Sequence, residues 1–284
     1  MKTFDILIIG GGTAGIAAAK GAYDAGCRSI AIVDRKKALG GVLLQCLHRG
    51  FGQGQNGPEY TQNLLKEFPE DICFLGNTTA LSVTKDRIAH LSGGKSIGFQ
   101  QLILAAGCRE IPMGALPIAG TRPNGVYTAG QMQEMMNLYG LVPEGPTVIL
   151  GSGDLGLVMA NHLAQAGLDV TLVEKKTSCG GMARNQRCLQ DFPIRLICNT
   201  TITEVLGEKN LEGCMLSTGE ELPCKTLLIA VGLTPDRELI ADFGETGWLN
   251  VCGNCNRVHP MVEAVVKEGY TAGQRAWNQI RGTV

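Results

Sequence analysis

The sequence predicts an α/β chain built from two copies of one β-turn-α-β unit, the second inserted within the first. Two observations predict it. A glycine-rich motif occurs twice with the same elements downstream, and a strand ending in glycine also occurs twice. The length of 284 residues fits about two domains at roughly 150 residues each.

The first copy begins with the mostly apolar run Phe4 to Ile9, which enters Gly10-Gly-Gly-Thr-Ala-Gly15 directly. A predicted helix from Ala14 to Ala25 follows, closed by Gly26, then the strand Ser29 to Val33, Asp34 and the pair Gly40-Gly41. The second copy begins with Thr147 to Leu150 and Gly151-Ser-Gly-Asp-Leu-Gly156. It continues through a helix from Leu155 to Ala166, Gly167, the strand Asp169 to Val173, Glu174 and Gly180-Gly181. Short apolar runs feeding glycines are what buried parallel strands look like in sequence. Glycine is a common residue at which helices stop.

The residue types fit the chemistry of a dinucleotide cradle. Gly10 and Gly151 permit the tight turn, and Gly12 and Gly153 let a pyrophosphate reach the backbone. Gly15 and Gly156 let helix and strand pack closely. Thr13 and Ala14, and Asp154 and Leu155, open helices whose free N–H groups attract phosphate. Asp34 and Glu174 stand where a carboxylate accepts hydrogen bonds from a ribose diol. A carboxylate there also repels a 2′-phosphate, so the second site is expected to prefer NADH, with Lys175 and Lys176 working against that preference. Asp154 is unfavourable beside a pyrophosphate and is expected to cap the start of its own helix instead.

The second repeated element is Leu102-Ile-Leu-Ala105-Ala106-Gly107, matched by Leu227-Leu-Ile-Ala-Val-Gly232. The chain order then implies a complete second domain at 118–233, and a first domain made of 1–117 and 234–284. Lys and Arg total 25 against 26 for Asp and Glu. That balance lacks the basic excess needed for nucleic-acid binding. No apolar run is long enough to span a bilayer, and Ile6 to Ile9 is too short for a signal-peptide core. A cytoplasmic location is the expectation. The 11 cysteines form no paired framework, and most of them read as reduced, structural thiols. No metal site is expected.

On these motifs the whole chain resembles the flavoproteins with two dinucleotide-binding domains, the family of thioredoxin reductase and the pyridine nucleotide-disulfide oxidoreductases. The resemblance implies two Rossmann-like domains, with FAD on the first motif, NAD on the inserted one, and no C-terminal interface domain. It adds Arg35, Val42, Gln45 and Ala80 to the cofactor contacts, and places Gly253-Asn254 against the flavin's ribityl chain. His259 is implied to hydrogen-bond the flavin or to close a turn. A predicted helix from Val262 to Trp277, carrying Glu268, is implied to aim its N-terminus at the flavin, where the dipole favours negative charge.

A narrower resemblance is carried by the run from Gly40 to Gly52, Gly57-Pro-Glu-Tyr60, Gly107-Cys-Arg-Glu110, Thr128-Ala-Gly130, Gly151-Ser-Gly-Asp154 and Val258-His259. These are similar to the FAD-dependent oxidoreductases associated with anaerobic glycerol-3-phosphate dehydrogenase. That likeness implies a subunit that works with a partner dehydrogenase subunit on a small-molecule redox substrate.

Disulfide reductases carry a cysteine pair facing the flavin, whereas Cys46 alone follows Gly40-Gly41. Two readings of Cys46 stand: a thiolate that attacks a disulfide or adds to the flavin, or a thiol that only shields the site. Cys252 and Cys255 read as packing beside the flavin. Three functional readings follow. The first is an electron-transfer subunit using FAD and NAD(H). The second is a free-standing NADH-dependent disulfide or oxygen reductase using Cys46. The third is a non-catalytic nucleotide-binding scaffold.

Overall fold

A computed structural model describes residues 1–244 and 246–282. The chain forms two compact units, residues 1–109 with 234–284, and residues 110–233. No helix among the described residues is long and apolar enough to cross a membrane.

In the first unit, Lys2–Ile9 lies at the centre of a sheet. It pairs in parallel with Ile30–Val33, and that strand with Cys73–Leu75. On its other edge it pairs in parallel with Lys95–Leu104. The beginning of Lys95–Leu104 also pairs antiparallel with Ile88–Leu91. Its end pairs in parallel with Leu249–Val251, so residues after 234 complete the sheet. Side chains alternate between faces with the period of two that strands impose. Ile6 and Ile8 pack with Ala14, Ala18, Val265 and Ala272 of the helical layer. Leu7 and Ile9 pack with Val83, Ala89 and Leu91 of the antiparallel strands. Burial on both faces explains why Ile6 to Ile9 is continuously apolar.

The helix Thr13–Asp24 lies backbone to backbone against the long helix Val262–Arg281. A side-chain carbon at Gly273 would stand 1.9 Å from the Ala18 carbonyl oxygen, and one at Gly269 would stand 2.3 Å from that of Ala14. Alanine and glycine face each other because nothing larger fits.

The second unit holds a parallel sheet in the order Arg195–Ile197, Val170–Val173, Thr147–Leu150, Thr226–Ile229 and Val126–Thr128. One face, through Ile149, Leu172 and Leu228, packs on the helices Ala129–Tyr139 and Asp154–Gln165. The other, through Val148, Leu150 and Leu227, packs on a smaller sheet containing Ile202–Leu206 and Gly213–Leu216. The chain passes from the first unit to the second at Arg109/Glu110 rather than at the expected 117/118. The reason is packing, since Met113 and Leu116 join the core of the second unit, and the Glu110 carboxylate accepts from Gly130 N at 2.8 Å.

Backbone contact between the two helices sets the first prediction. Gly273→Val is expected to destabilise the protein by about 3 kcal/mol or more through overpacking, read as a lowered urea midpoint at unchanged m-value.

Candidate functional site

Each unit carries a cradle at the head of its glycine-motif helix, and the two are built alike. Gly10 has φ +108° and Gly151 has φ +105°, in the region that glycine alone adopts freely. A side-chain carbon would stand 2.3 Å from the Ala105 carbonyl oxygen at Gly10, and 2.5 Å from that of Ala230 at Gly151. The third glycines are as crowded: a carbon at Gly15 would meet Gly10 O at 1.8 Å, and one at Gly156 would meet Gly151 O at 2.1 Å.

The middle glycines are different. Gly12 and Gly153 cap their helices with φ −75° and −68°, which any residue adopts. A side-chain carbon at Gly12 would meet only Gly41 Cα at 3.9 Å, and at Gly153 no described protein atom lies within 4 Å. Among the described residues, neither strain nor a neighbour beyond the adjoining backbone explains these two glycines. Neither helix has a side-chain cap on its first N–H groups. By contrast, Gly57–Leu65 and Ala129–Tyr139 carry full capping boxes, Asn56 with Glu59 and Thr128 with Gln131. The long helix Val262–Arg281 also begins without a side-chain cap. A helix head with open N–H groups and room for backbone approach fits a phosphate.

The carboxylates repeat the pattern. Asp34 Oδ2 accepts from Gly11 N at 2.5 Å and Oδ1 from Lys36 N at 2.7 Å. Glu174 Oε2 accepts from Ser152 N at 2.9 Å, and Oε1 from Lys176 N at 2.9 Å. The Ser152 hydroxyl adds a third bond to Glu174 at 2.6 Å. Burial works to raise the Glu174 carboxyl, but the bonds from Ser152 and Lys176 overcome it and hold the group below the ordinary range. A carboxylate has about four acceptor sites, so both keep capacity for further donors.

Gly40 and Gly41 close the first cradle: Gly40 N donates to Gly11 O at 2.8 Å, and Gly12 and Gly40 form a bridge. Gly180 N donates to Ser152 O at 3.3 Å in the second. Asp154 corrects the expectation of a cap. Its Oδ1 accepts from Met182 N at 2.8 Å and Asn185 Nδ2 at 2.6 Å, tying the following loop across the helix head. Arg35 and Lys175 are exposed, as is Val42, while Gln45 is buried. Ala80 lies on an antiparallel strand, two residues past Thr78, whose N–H donates to Asp34 O at 2.9 Å. Ala106 and Gly107 follow Ala105 at the end of their strand, and Gly232 O accepts from Ile111 N at 3.1 Å.

Gly253 is wedged beside the first cradle, where a side-chain carbon would stand 2.6 Å from Ala14 Cβ. Asn254 Oδ1 accepts from His259 N at 2.9 Å. Cys46 is buried, its thiol donates to Val42 O at 3.3 Å, and burial pushes it up to about 12. That is the reverse of the activation a thiolate nucleophile needs. Burial likewise pushes Cys252 to about 12 and Cys255 to about 11.

Ser152 and Asn185 brace the second cradle and Arg237 braces the 255–256 segment, three side chains that the motif reading passes over. Arg237 Nε donates to Cys255 O at 2.7 Å, and Nη2 to Asn256 Oδ1 at 2.9 Å.

The depressed Glu174 group fixes a pH dependence. It titrates near about 4.3 when unfolded and lower when folded, so its stabilisation is full at neutral pH and is lost as pH falls through the folded value. Urea midpoints between pH 7 and 3 are expected to fall less steeply for Glu174→Gln than for the parent.

The family model described as pyridine nucleotide-disulphide oxidoreductase matches residues 4–254. An opine oxidase subunit of Agrobacterium tumefaciens (strain Ach5) is 26% identical over 273 residues, covering 83% of this chain and 54% of that protein. The thioredoxin reductase of Treponema pallidum (strain Nichols) is 27% identical over 259 residues, covering 84% and 80%. The crystal structure of Lactococcus lactis thioredoxin reductase matches with TM-score 0.80 at 18% identity over 98% of this chain and 99% of that one, a likeness of fold. The chain spans about half the length of the opine oxidase relative. It belongs to the pyridine nucleotide-disulphide oxidoreductase family, oxidoreductases that use FAD and NAD(P)H.

Proposed function

We propose that the first cradle holds FAD, the second holds NAD(H), and the chain serves as an electron-transfer subunit of a multi-subunit dehydrogenase. The carrying observation is the pair of uncapped helix heads whose middle glycines leave open the space that a side chain would fill. In this reading Gly10, Gly12 and Gly15, with the open N–H groups of Thr13 and Ala14, hold the FAD pyrophosphate, and Asp34 takes a ribose. Gly151, Gly153, Leu155 and Gly156 do the same for NAD(H), where Glu174 takes the ribose and disfavours a 2′-phosphate. When bound, the two cofactors supply the redox chemistry, a hydride passing between nicotinamide and flavin.

Burial of Cys46 weighs against the free-standing disulfide or oxygen reductase that would use this thiol. The subunit role draws on the opine oxidase relative, which is itself named as a subunit, and on the segments similar to proteins associated with glycerol-3-phosphate dehydrogenase. The reading includes a cytoplasmic location for this chain and a partner dehydrogenase subunit that meets the small-molecule substrate.

Adding NADH without oxygen to the purified chain, reconstituted with FAD, tests the reading. Bleaching of the flavin's visible absorbance is the expected result, and a chain that takes up no flavin rules the reading out. Gly12→Ala is expected to weaken FAD binding about tenfold or more, roughly 1.4 kcal/mol, while costing the fold only about 1 kcal/mol as an N-cap change. Gly153→Ala should do the same to NADH alone.

Cys46→Ser is expected to bleach as the parent does. Robust turnover of NADH with a disulfide, abolished by that substitution, would restore the free-standing reductase.

A further inference from the structure

One carboxylate shapes the loop from Gly253 to His259. Glu268, on the long helix, accepts from Gly253 N at 3.2 Å and faces His259 Nε2 at 2.5 Å, both through Oε2. Its Oε1 accepts from Asn256 Nδ2 at 2.5 Å. An ionised carboxylate is an acceptor only, so this contact puts the His259 proton on Nε2. The side chain of His259 is 7% exposed, which shelters the imidazole from water, while that of Glu268 is 25% exposed.

The far side of the loop is held independently. Arg237 donates to Cys255 O, to Asn256 O and to Asn256 Oδ1. Asn256 is therefore gripped from both sides, with its amide oxygen on Arg237 and its amide nitrogen on Glu268. At the other end of the loop, Gly253 presses on Ala14 at the first cradle. The loop reaches the cradle at the residue whose N–H Glu268 holds.

We propose that Glu268 is a positioning residue for the first cradle, holding the 253–259 loop against the helix head and fixing His259 with its proton on Nε2. The proposal rests on the reading of that cradle as the FAD site. Glu268 reaches FAD through Gly253, Asn256 and His259, so its removal acts on affinity by moving the loop. Hydrogen bonds to a charged group are strong enough that losing them should weaken binding about tenfold or more.

The test uses the full chain labelled with 15N-histidine, which has only 4 histidines to assign, and pairs it with FAD titration. Above the titration range of histidine, the parent should show His259 protonated on Nε2. Glu268→Ala should yield mixed tautomers and weakened FAD binding. Glu268→Gln keeps one acceptor oxygen, for Gly253 N and His259 Nε2, while its amide nitrogen meets the Asn256 amide nitrogen; it should restore the tautomer and part of the affinity. It also serves as the reference if the alanine variant does not fold.

A parent His259 protonated on Nδ1 would overturn the proposal. So would a folded Glu268→Ala with the parent's FAD affinity, or a Glu268→Gln as impaired as a folded Glu268→Ala. A parent chain that takes up no FAD would overturn the cradle reading and this proposal with it, a result distinct from the others.

Discussion

Two backbone carbonyls, those of Ala105 and Ala230, press on the turn that follows each central strand so closely that a side chain has no place there. The turn glycine presents its own carbonyl to the third glycine of the motif, Gly10 to Gly15 and Gly151 to Gly156. Strand, turn and helix are thus stacked backbone on backbone. The helix head therefore follows directly on the end of the strand, with no side-chain cap on its first N–H groups. The rest of each cradle is assembled on that platform: the carboxylate from the neighbouring strand, the closing loop, and in the first unit the segment around Gly253.

The two cradles share this platform but finish it differently. Gly11 in the first corresponds to Ser152 in the second, and the added hydroxyl donates to Glu174 while accepting from Gly180 N at 3.1 Å. One small side chain therefore joins the ribose-type carboxylate to the closing loop. Asp154 extends the same tie to Met182 and Asn185. In the first cradle Gly11 has no side chain to make such a tie, and backbone contact joins Gly12 to the Gly40-Gly41 pair.

Local steric demands were legible in the sequence because they restrict residue type. Parallel strands buried on both faces need unbroken apolar runs, and carbonyl-crowded turns need glycine, so the duplicated architecture could be read directly. Long-range polar pairings were not legible. Nothing in the local spacing tells Asp154 to serve a loop nearly thirty residues on rather than its own helix, and Ser152 occupies a slot where the motif accepts many residues. The junction was misplaced for a similar reason: Met113 and Leu116 have no periodic pattern, and only the packed core reveals which unit they serve. The state of Cys46 depends on burial depth, a property set by neighbours from distant parts of the chain.

The ends of the inserted unit close on each other, Ile111 N donating to Gly232 O at 3.1 Å. Within the first unit, Asp236 N donates to Gly107 O at 3.0 Å. To its host, the insert is therefore no wider than a hairpin, because both sides of the interruption are already sewn together. Loop-closure entropy, which grows only slowly with length, then scarcely penalises the guest. A cassette with its entry and exit side by side is one that gene rearrangement can splice into a host sheet without forcing the surrounding strands apart.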